Sequence, residues 1–424
     1  MPALRQPTVE QRPRFLEDPG PKAFREGTHR LIAPETTLSR IGPLMPEMGI
    51  TRVANVTGLD AIGIPVALAV RPNSRGLAVS QGKGLNLAAA KASAVMESVE
   101  AYHAERIAAP LKLASYEELR RNHRVVEVDH LPRVSDRAFH PHLELLWIEG
   151  YDLLQAETVW LPYELVHVNS TLPLPTGSGC FPITSNGLAS GNHPLEAISH
   201  ALCEVIERDA MAVWLQKDRE AIHAARVDIS HVDDPACQSV LEKYDRAGVS
   251  VSVWEITSDV GISAFFCGIT DRETDSLRQL HAAAGQGCHP SRPIALLRAL
   301  TEAAQSRLTI IAGSRDDFYR DDFKHARSVD TTQRTRALAT DIQGPMRSFA
   351  EGPHWDGETF EDDCAWVLDR LQSVGITRAI VVDLTMPEFQ VPVMRTVVPG
   401  LEGATDLTTY VPGARALAAR RGRA

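Results

Sequence analysis

Glu97 with Glu100, and Glu204 with Glu207, each place two carboxylates three residues apart in an alanine-rich, helix-forming run. Residues at that spacing lie on one face of an α-helix, so each run offers an acidic edge and the two edges can converge on one site. Four carboxylates together are unfavourable unless cations neutralise them. Hard oxygen ligands in this arrangement suit Mg2+, which keeps some of its waters and takes phosphate oxygens as further ligands. A single Glu-x-x-Glu pair is an ordinary solvated helix face; the segments ahead of these two pairs give them more meaning.

The second pair follows a polar, glycine-rich stretch, Ser185, Asn186, Gly187, Ser190, Gly191 and Asn192, with Pro194 suited to the first turn of a helix. Glu196 and Glu207 return to nearly the same face of that helix, while Leu195, Ile198, Leu202, Val205 and Ile206 form a separate apolar stripe. The first pair follows Gly82-Lys83-Gly84, ahead of a helix expected from about Asn86 to Ile107. That triplet can serve as a phosphate cradle, with glycines letting the backbone approach an anion and Lys83 adding charge; on its own it reads equally as a glycine-rich loop carrying an ordinary lysine. The spacing of a Walker A loop is missing.

Four blocks of the chain resemble the YcaO proteins in order and spacing: TGLDAIGIPVALAVRP (57–72), the Gly-Lys-Gly triplet with SAVMESVE (82–100), SNGLASGNHPLEAISHALCEVIERDA (185–210), and RALTEAAQSR with GSRDD (298–317). A weaker likeness lies at VVPGLEG (397–403). The resemblance implies an α/β fold of mixed, α+β character, with largely antiparallel sheets and helices that carry an ATP and Mg2+ site. It assigns Ser93, Glu97 and Glu100 to one motif, Glu204, Glu207 and Arg208 to a second, and Gln305 and Arg307 to a third. By that resemblance Glu97, Glu100, Glu204 and Glu207 hold Mg2+, Lys83 and Arg307 contact phosphate, and Ser93, Ser185 and Asn186 bond the nucleotide. Arg208, Gln305 and Arg307 are the residues expected to serve the reaction. Ala101 stands where many members carry arginine.

The chemistry implied is phosphorylation of a peptide backbone amide oxygen by ATP, which makes that oxygen a leaving group once a nucleophile has attacked the carbonyl carbon. Positioning and charge neutralisation are the protein's part in such a transfer. Azoline-forming members commonly end in a Pro-x-Pro-x-Pro run, whereas this chain ends TTYVPGARALAARRGRA. That ending is similar to members that deliver sulfide to make a backbone thioamide, often with a TfuA partner. The resemblance therefore implies a peptide substrate, an external sulfur donor, a TfuA-like partner and a homodimer. Azoline or amidine formation, or a nucleotide-binding accessory subunit without amide chemistry, are the alternatives.

Composition fits a cytoplasmic enzyme. The 424 residues, 44% of them hydrophobic, allow two or three domains by length. A formal charge of −10 disfavours a broad nucleic-acid footprint, no apolar run approaches the ~18 residues of a membrane span, and the first residues lack the apolar core of a signal peptide. Six cysteines without a C-x-x-C pair point to reduced thiols rather than a zinc or disulfide framework. Cys203 is expected in the core, and Cys288, beside His289 in AGQGCHPSRP, at a glycine-rich turn that could expose it. His200 lacks the partners of a zinc site, and Asp60 and Arg71 read as structural ion-pair partners.

Breaks in the pattern divide the chain into an arm (1–45) with a short helix near Thr36–Ile41, a catalytic domain (46–320), and a C-terminal portion (321–424) that completes it and ends in a solvated basic tail of Arg415, Arg420, Arg421 and Arg423. Strands are expected in TRVANV, IPVALAV and ISAFFCGIT, and a capped short helix in SYEELRRN. ELLWIEGYDLLQAETVWLPYELVHV reads as a hairpin and DPACQSVLEKYDRAGVSVSVWEIT as helix, turn at Gly248 and strand; a long helix begins near Pro293. No repeat of fixed period is visible.

Overall fold

The computed structural model describes Pro13 and residues 16–273, 282–318, 320–326, 344–405 and 408–421, with a few positions between 333 and 341. After helix α1 (Pro34–Ile41), strands β1 (Arg52–Asn55), β2 (Val66–Val70) and β3 (Val79–Lys83) form an antiparallel sheet that leads into α2 (Leu87–Ala104). Asn86 caps α2 by accepting the Ala89 N–H at 2.8 Å. β3 presses directly on α2 because Gly82 has no side chain. A Cβ there would stand 2.1 Å from the Ala94 nitrogen and 2.2 Å from the Ala90 carbonyl oxygen. The glycines expected to approach a phosphate instead make a strand-to-helix contact, and Lys83 ends a strand rather than lying in a loop.

Next come β4 (Leu111–Ala114), the hairpin of β5 (Leu145–Asp152) and β6 (Glu157–Pro162), β7 (Leu188–Ser190), and the long helix α3 (Pro194–Trp214), with Pro194 in its first turn. Helix α4 (Pro235–Arg246) ends before Gly248, whose φ of 68° makes the turn. Then β8 (Val249–Glu255), β9 (Ala264–Asp271) and β10 (Ala283–Cys288) form a second antiparallel sheet running into a helix, α5 (Arg292–Ala312). Helix α6 (Phe360–Ser373), β11 (Ile380–Asp383), β12 (Val393–Val397) and α7 (Ala414–Arg421) follow toward the C-terminus.

β11 and β12 complete a six-stranded sheet: β5 pairs with β4, β6 and β11, β11 with β12, and β12 with β7, all antiparallel. Alternation along β12 sends Val393 and Val397 into a core with Val95 and Val99 of α2, and Met394 into another with Ile198 and Leu202 of α3 and Leu368 of α6. A third core joins α4 and α5 to β8, β9 and β10. The described part of the arm belongs to this body: Leu16 is in the second core, and the buried Lys22 lies 2.7 Å from Asp363 of α6. The tail is also tied down, Arg415 donating to Asp209 at 2.8 Å, while Arg423 lies outside the described residues.

The two sheet-and-helix units share one plan that the sequence does not show. The Gln81 N–H donates at 3.1 Å to Glu97, sixteen residues on, and the Gln286 N–H donates at 3.1 Å to Glu302, also sixteen residues on. The glycine after each glutamine meets its helix alike, since a Cβ on Gly287 would stand 2.1 Å from the Ala295 carbonyl oxygen. Only these glutamines, glycines and glutamates, with the alanines of the helices, are common to both copies, too few for a sequence period.

Candidate active site

Three helices place their acidic residues within reach of one another. Glu97 and Glu100 stand on α2, Glu204 and Glu207 on α3, and Glu302 on α5. Three of the five are tethered by short hydrogen bonds: Glu97 by the Gln81 N–H, Glu100 by the N–H and hydroxyl of Ser190 (2.8 Å each), and Glu302 by the Gln286 N–H and the Lys83 ammonium at 2.5 Å. Arg208 reaches Glu204 at 3.8 Å, Glu207 at 3.6 Å and the Gln286 side chain at 3.4 Å. Burial is the largest influence on all five. It pushes Glu97 up to about 7 against the Gln81 N–H, Arg315 and Lys83, and Glu100 up to about 8, where Glu97 and Glu204 add repulsion. Glu204 and Glu207 are raised for the same reason. Glu302 alone is lowered, because Lys83 and Arg208 outweigh its burial.

Glu302 is a residue that sequence reasoning missed. In RALTEAAQSR the motif points to Gln305 and Arg307, yet Arg298, Glu302 and Gln305 are the residues that share a face of α5. Arg298 stands beside His200 at 3.3 Å and acts on Glu204 and Glu207. Arg307, two residues beyond Gln305, is turned by about 200° on the helix. Its buried guanidinium pairs with Asp60 at 2.9 Å and Asp271 at 3.0 Å. Asp60 is thus an ion-pair partner, as expected, and Arg71 is another, 2.6 Å from Glu105.

Of the residues expected at the nucleotide, Lys83 is in the acidic cluster, and Asn186 carries a buried Oδ1 without a hydrogen-bond partner. Ser93 and Ser185 are exposed. Glu207 Oε2 and two nitrogens of Arg395, Nε and Nη1, are also buried without hydrogen-bond partners. Acids that resist ionisation side by side, with cationic and unmet polar groups around them, fit divalent cations bridged by a polyphosphate. Among the described residues, the cluster whose ligand atoms all lie within 4.8 Å of one another is a different one, His29, His289 and Asp363. The glutamate oxygens are spread more widely, as suits cations that share phosphate and water ligands. In the histidine cluster the Lys22 ammonium beside Asp363 already supplies the positive charge.

Cys288 ends β10 and is fully buried, and burial, with Cys203 beside it, pushes its thiol well above the usual range. The exposed turn expected there is instead a strand, because Gly285 and Gly287 let it lie against α5. A nucleophilic role for Cys288 is therefore disfavoured. All six cysteines are free and buried.

His167 yields a stability prediction. Its ring stacks on Tyr163 at 4.6 Å and its Nδ1 accepts the Asn169 N–H at 3.1 Å, while burial, then Arg395, pulls its pKa down to about 4 from 6.5. Between those values the unfolded chain binds a proton that the folded chain refuses, so stability falls as pH drops from 6.5 to 4. His167→Asn keeps an acceptor near Nδ1 and cannot titrate. Urea midpoints of the two proteins should diverge across that window by an amount approaching about 3 kcal/mol in favour of the variant; parallel pH profiles would refute this.

An antiparallel framework gathers five helix-borne acids with Lys83, Arg208 and Arg298, an arrangement whose chemistry suits cations and phosphate. A family model described as YcaO cyclodehydratase, ATP- and Mg2+-binding, matches residues 81–402, and the chain belongs to the YcaO family. ATP and Mg2+ are the cofactors of that family's description. The chain is 38% identical over 384 residues to an uncharacterised protein in the tfuA 3′ region of Rhizobium leguminosarum bv. trifolii, covering 88% of each. It is 33% identical to an uncharacterised protein of Methanothermobacter thermautotrophicus, covering 88% of this chain and 94% of the other. Its fold is similar to that of a heterocyclase solved in complex with substrate and cofactor, with a TM-score of 0.75 at 22% identity, covering 90% of this chain. The chain spans about half the length of that heterocyclase, 53%. YcaO from Methanopyrus kandleri bound with AMPPCP and Mg2+ has the same fold, with a TM-score of 0.70 at 22% identity, covering 93% of this chain and 100% of the other. No helix among the described residues is long and apolar enough to cross a membrane.

Proposed function

We propose that this chain uses ATP and Mg2+ to activate a backbone amide of a peptide and that the attacking nucleophile is an external sulfide, so that the product is a thioamide. The observation that carries the activation step is the acidic cluster on α2, α3 and α5, tethered by strand amides and flanked by Lys83, Arg208 and Arg298. ATP supplies the phosphoryl group, and Mg2+ offsets its charge. Glu97, Glu100, Glu204, Glu207 and Glu302 would hold the cations, and Lys83 and Arg298 the phosphate oxygens; Asn186, Ser185 and Ser93 would face the nucleotide. Gln305 and Arg208 lie on the cluster's side and would orient the reacting groups. Arg307 would act at a distance, by fixing α5 against Asp60 and Asp271. The amide oxygen leaves as phosphate, with ADP as the other product.

The sulfide reading is supported by the relative in the tfuA 3′ region, which also favours a TfuA-type partner. Azoline formation by a side chain of the peptide is the second reading, favoured by the family's description as a cyclodehydratase. Incubation with ATP, Mg2+, sulfide, a TfuA-type protein and peptides encoded beside the gene, followed by mass spectrometry, separates them. The expected product has one oxygen replaced by sulfur. Loss of one water from a Cys- or Ser-containing peptide, without need of sulfide, would replace the thioamide reading with the azoline one.

A further inference from the structure

Arg395 stands in the middle of β12, paired with Val382 of β11 on one side and Leu188 of β7 on the other, and is 2% exposed. By strand alternation it shares the face of Val393 and Val397, so its guanidinium emerges among apolar side chains. Its Nε and Nη1 have no hydrogen-bond partner, and no carboxylate among the described residues lies within ion-pair distance of it. The charge that acts on it across the gap is Glu204, which attracts it, while Arg395 in turn helps to keep the His167 ring neutral. Glu204 itself is already tethered by the Gly187 N–H and faced by Arg208. A buried guanidinium with donors unmet is strongly disfavoured unless an anion completes it. Its planar fork suits phosphate oxygens in a way that a lysine ammonium does not.

We propose that Arg395 is a binding residue of this site and that the group it takes is the terminal phosphate of the nucleotide, on the Glu204 side of the cluster. The inference rests on the nucleotide reading above. It also assigns the role expected of Arg307, whose guanidinium is engaged by Asp60 and Asp271, to an arginine that no sequence motif marks out. Two cationic arms, Lys83 of β3 beside Glu302 and Arg395 of β12 facing Glu204, would then both hold the polyphosphate.

The test compares wild type with Arg395→Met and Arg395→Lys, first without ligand and then with Mg2+ and either ADP or a non-hydrolysable ATP analogue, by thermal unfolding and calorimetry. An arginine that waits for an anion contributes nothing to the ligand-free fold, so the melting temperature of Arg395→Met should match or exceed that of wild type. Affinity for the ATP analogue should fall about 10- to 100-fold, corresponding to one charge-assisted contact, with ADP affinity nearly unchanged and lysine restoring only part of the loss. A ligand-free Arg395→Met that melts well below wild type, or does not fold, would show the arginine to be structural and overturn the proposal. Equal loss for ADP and the ATP analogue, or no loss for either, would overturn it as well. Absence of nucleotide binding by wild type would instead remove the reading beneath it.

Discussion

Glu204→Ala and Glu207→Ala should each abolish Mg2+-dependent nucleotide binding while leaving the protein folded. Both carboxyls are raised by burial and repel one another, and Glu207 is further crowded by Glu302. Removing either therefore relieves the ligand-free protein, and its melting temperature should hold or rise. With Mg2+ and ATP the balance reverses, because the variant lacks a ligand for the charge that the phosphates bring. A loss of affinity of at least about 100-fold is expected, comparable with removing a fixed electrostatic partner from a site of this kind. Titration calorimetry with and without Mg2+ reads it directly. Unaltered ATP titrations in both variants would sink the metal assignment, and loss of binding together with unfolding would reduce the two glutamates to structural parts.

Arg307→Ala should instead damage the fold. Its guanidinium and the carboxylate of Asp60 are both nearly inaccessible to solvent, with side-chain exposures of 3% and 2%, and Asp271 completes the pair. Taking away one partner of a buried ion pair leaves an uncompensated charge, at a cost of roughly 3–5 kcal/mol. Urea unfolding should show that loss, and adding Asp60→Asn should recover part of it, since the orphaned carboxylate is then neutral. A stable Arg307→Ala protein with impaired turnover would restore this residue to direct contact with substrate.

The acidic pairs were legible because helical spacing is a local property: three residues apart means one face whatever the tertiary fold. The hairpin of β5 and β6, the turn at Gly248, and the helix from Arg292 were legible for similar reasons, since alternation and punctuating residues act over short range. VSQGK and AGQGC were not. Their glycines read as loop, whereas each is a strand whose missing side chains admit a helix backbone far along the chain. The choice of Arg307 over Glu302 has a related cause. A motif identifies residue types, but which of them face the site depends on helix phase, and two residues along α5 reverse the direction.

Two copies of one strand-and-helix plan, laid against each other, have no inherent polarity; a nucleotide does. Superposing the copies by their glutamines sets Glu97 on Glu302, but it also sets Ser93 on Arg298, Glu100 on Gln305 and Lys83 on Cys288. The matched positions keep the acids that any cation would accept from either direction. The mismatched ones differ in charge, so within the paired copies they are what can tell one end of a ligand from the other, and there reading direction is a property of where the copies have ceased to agree.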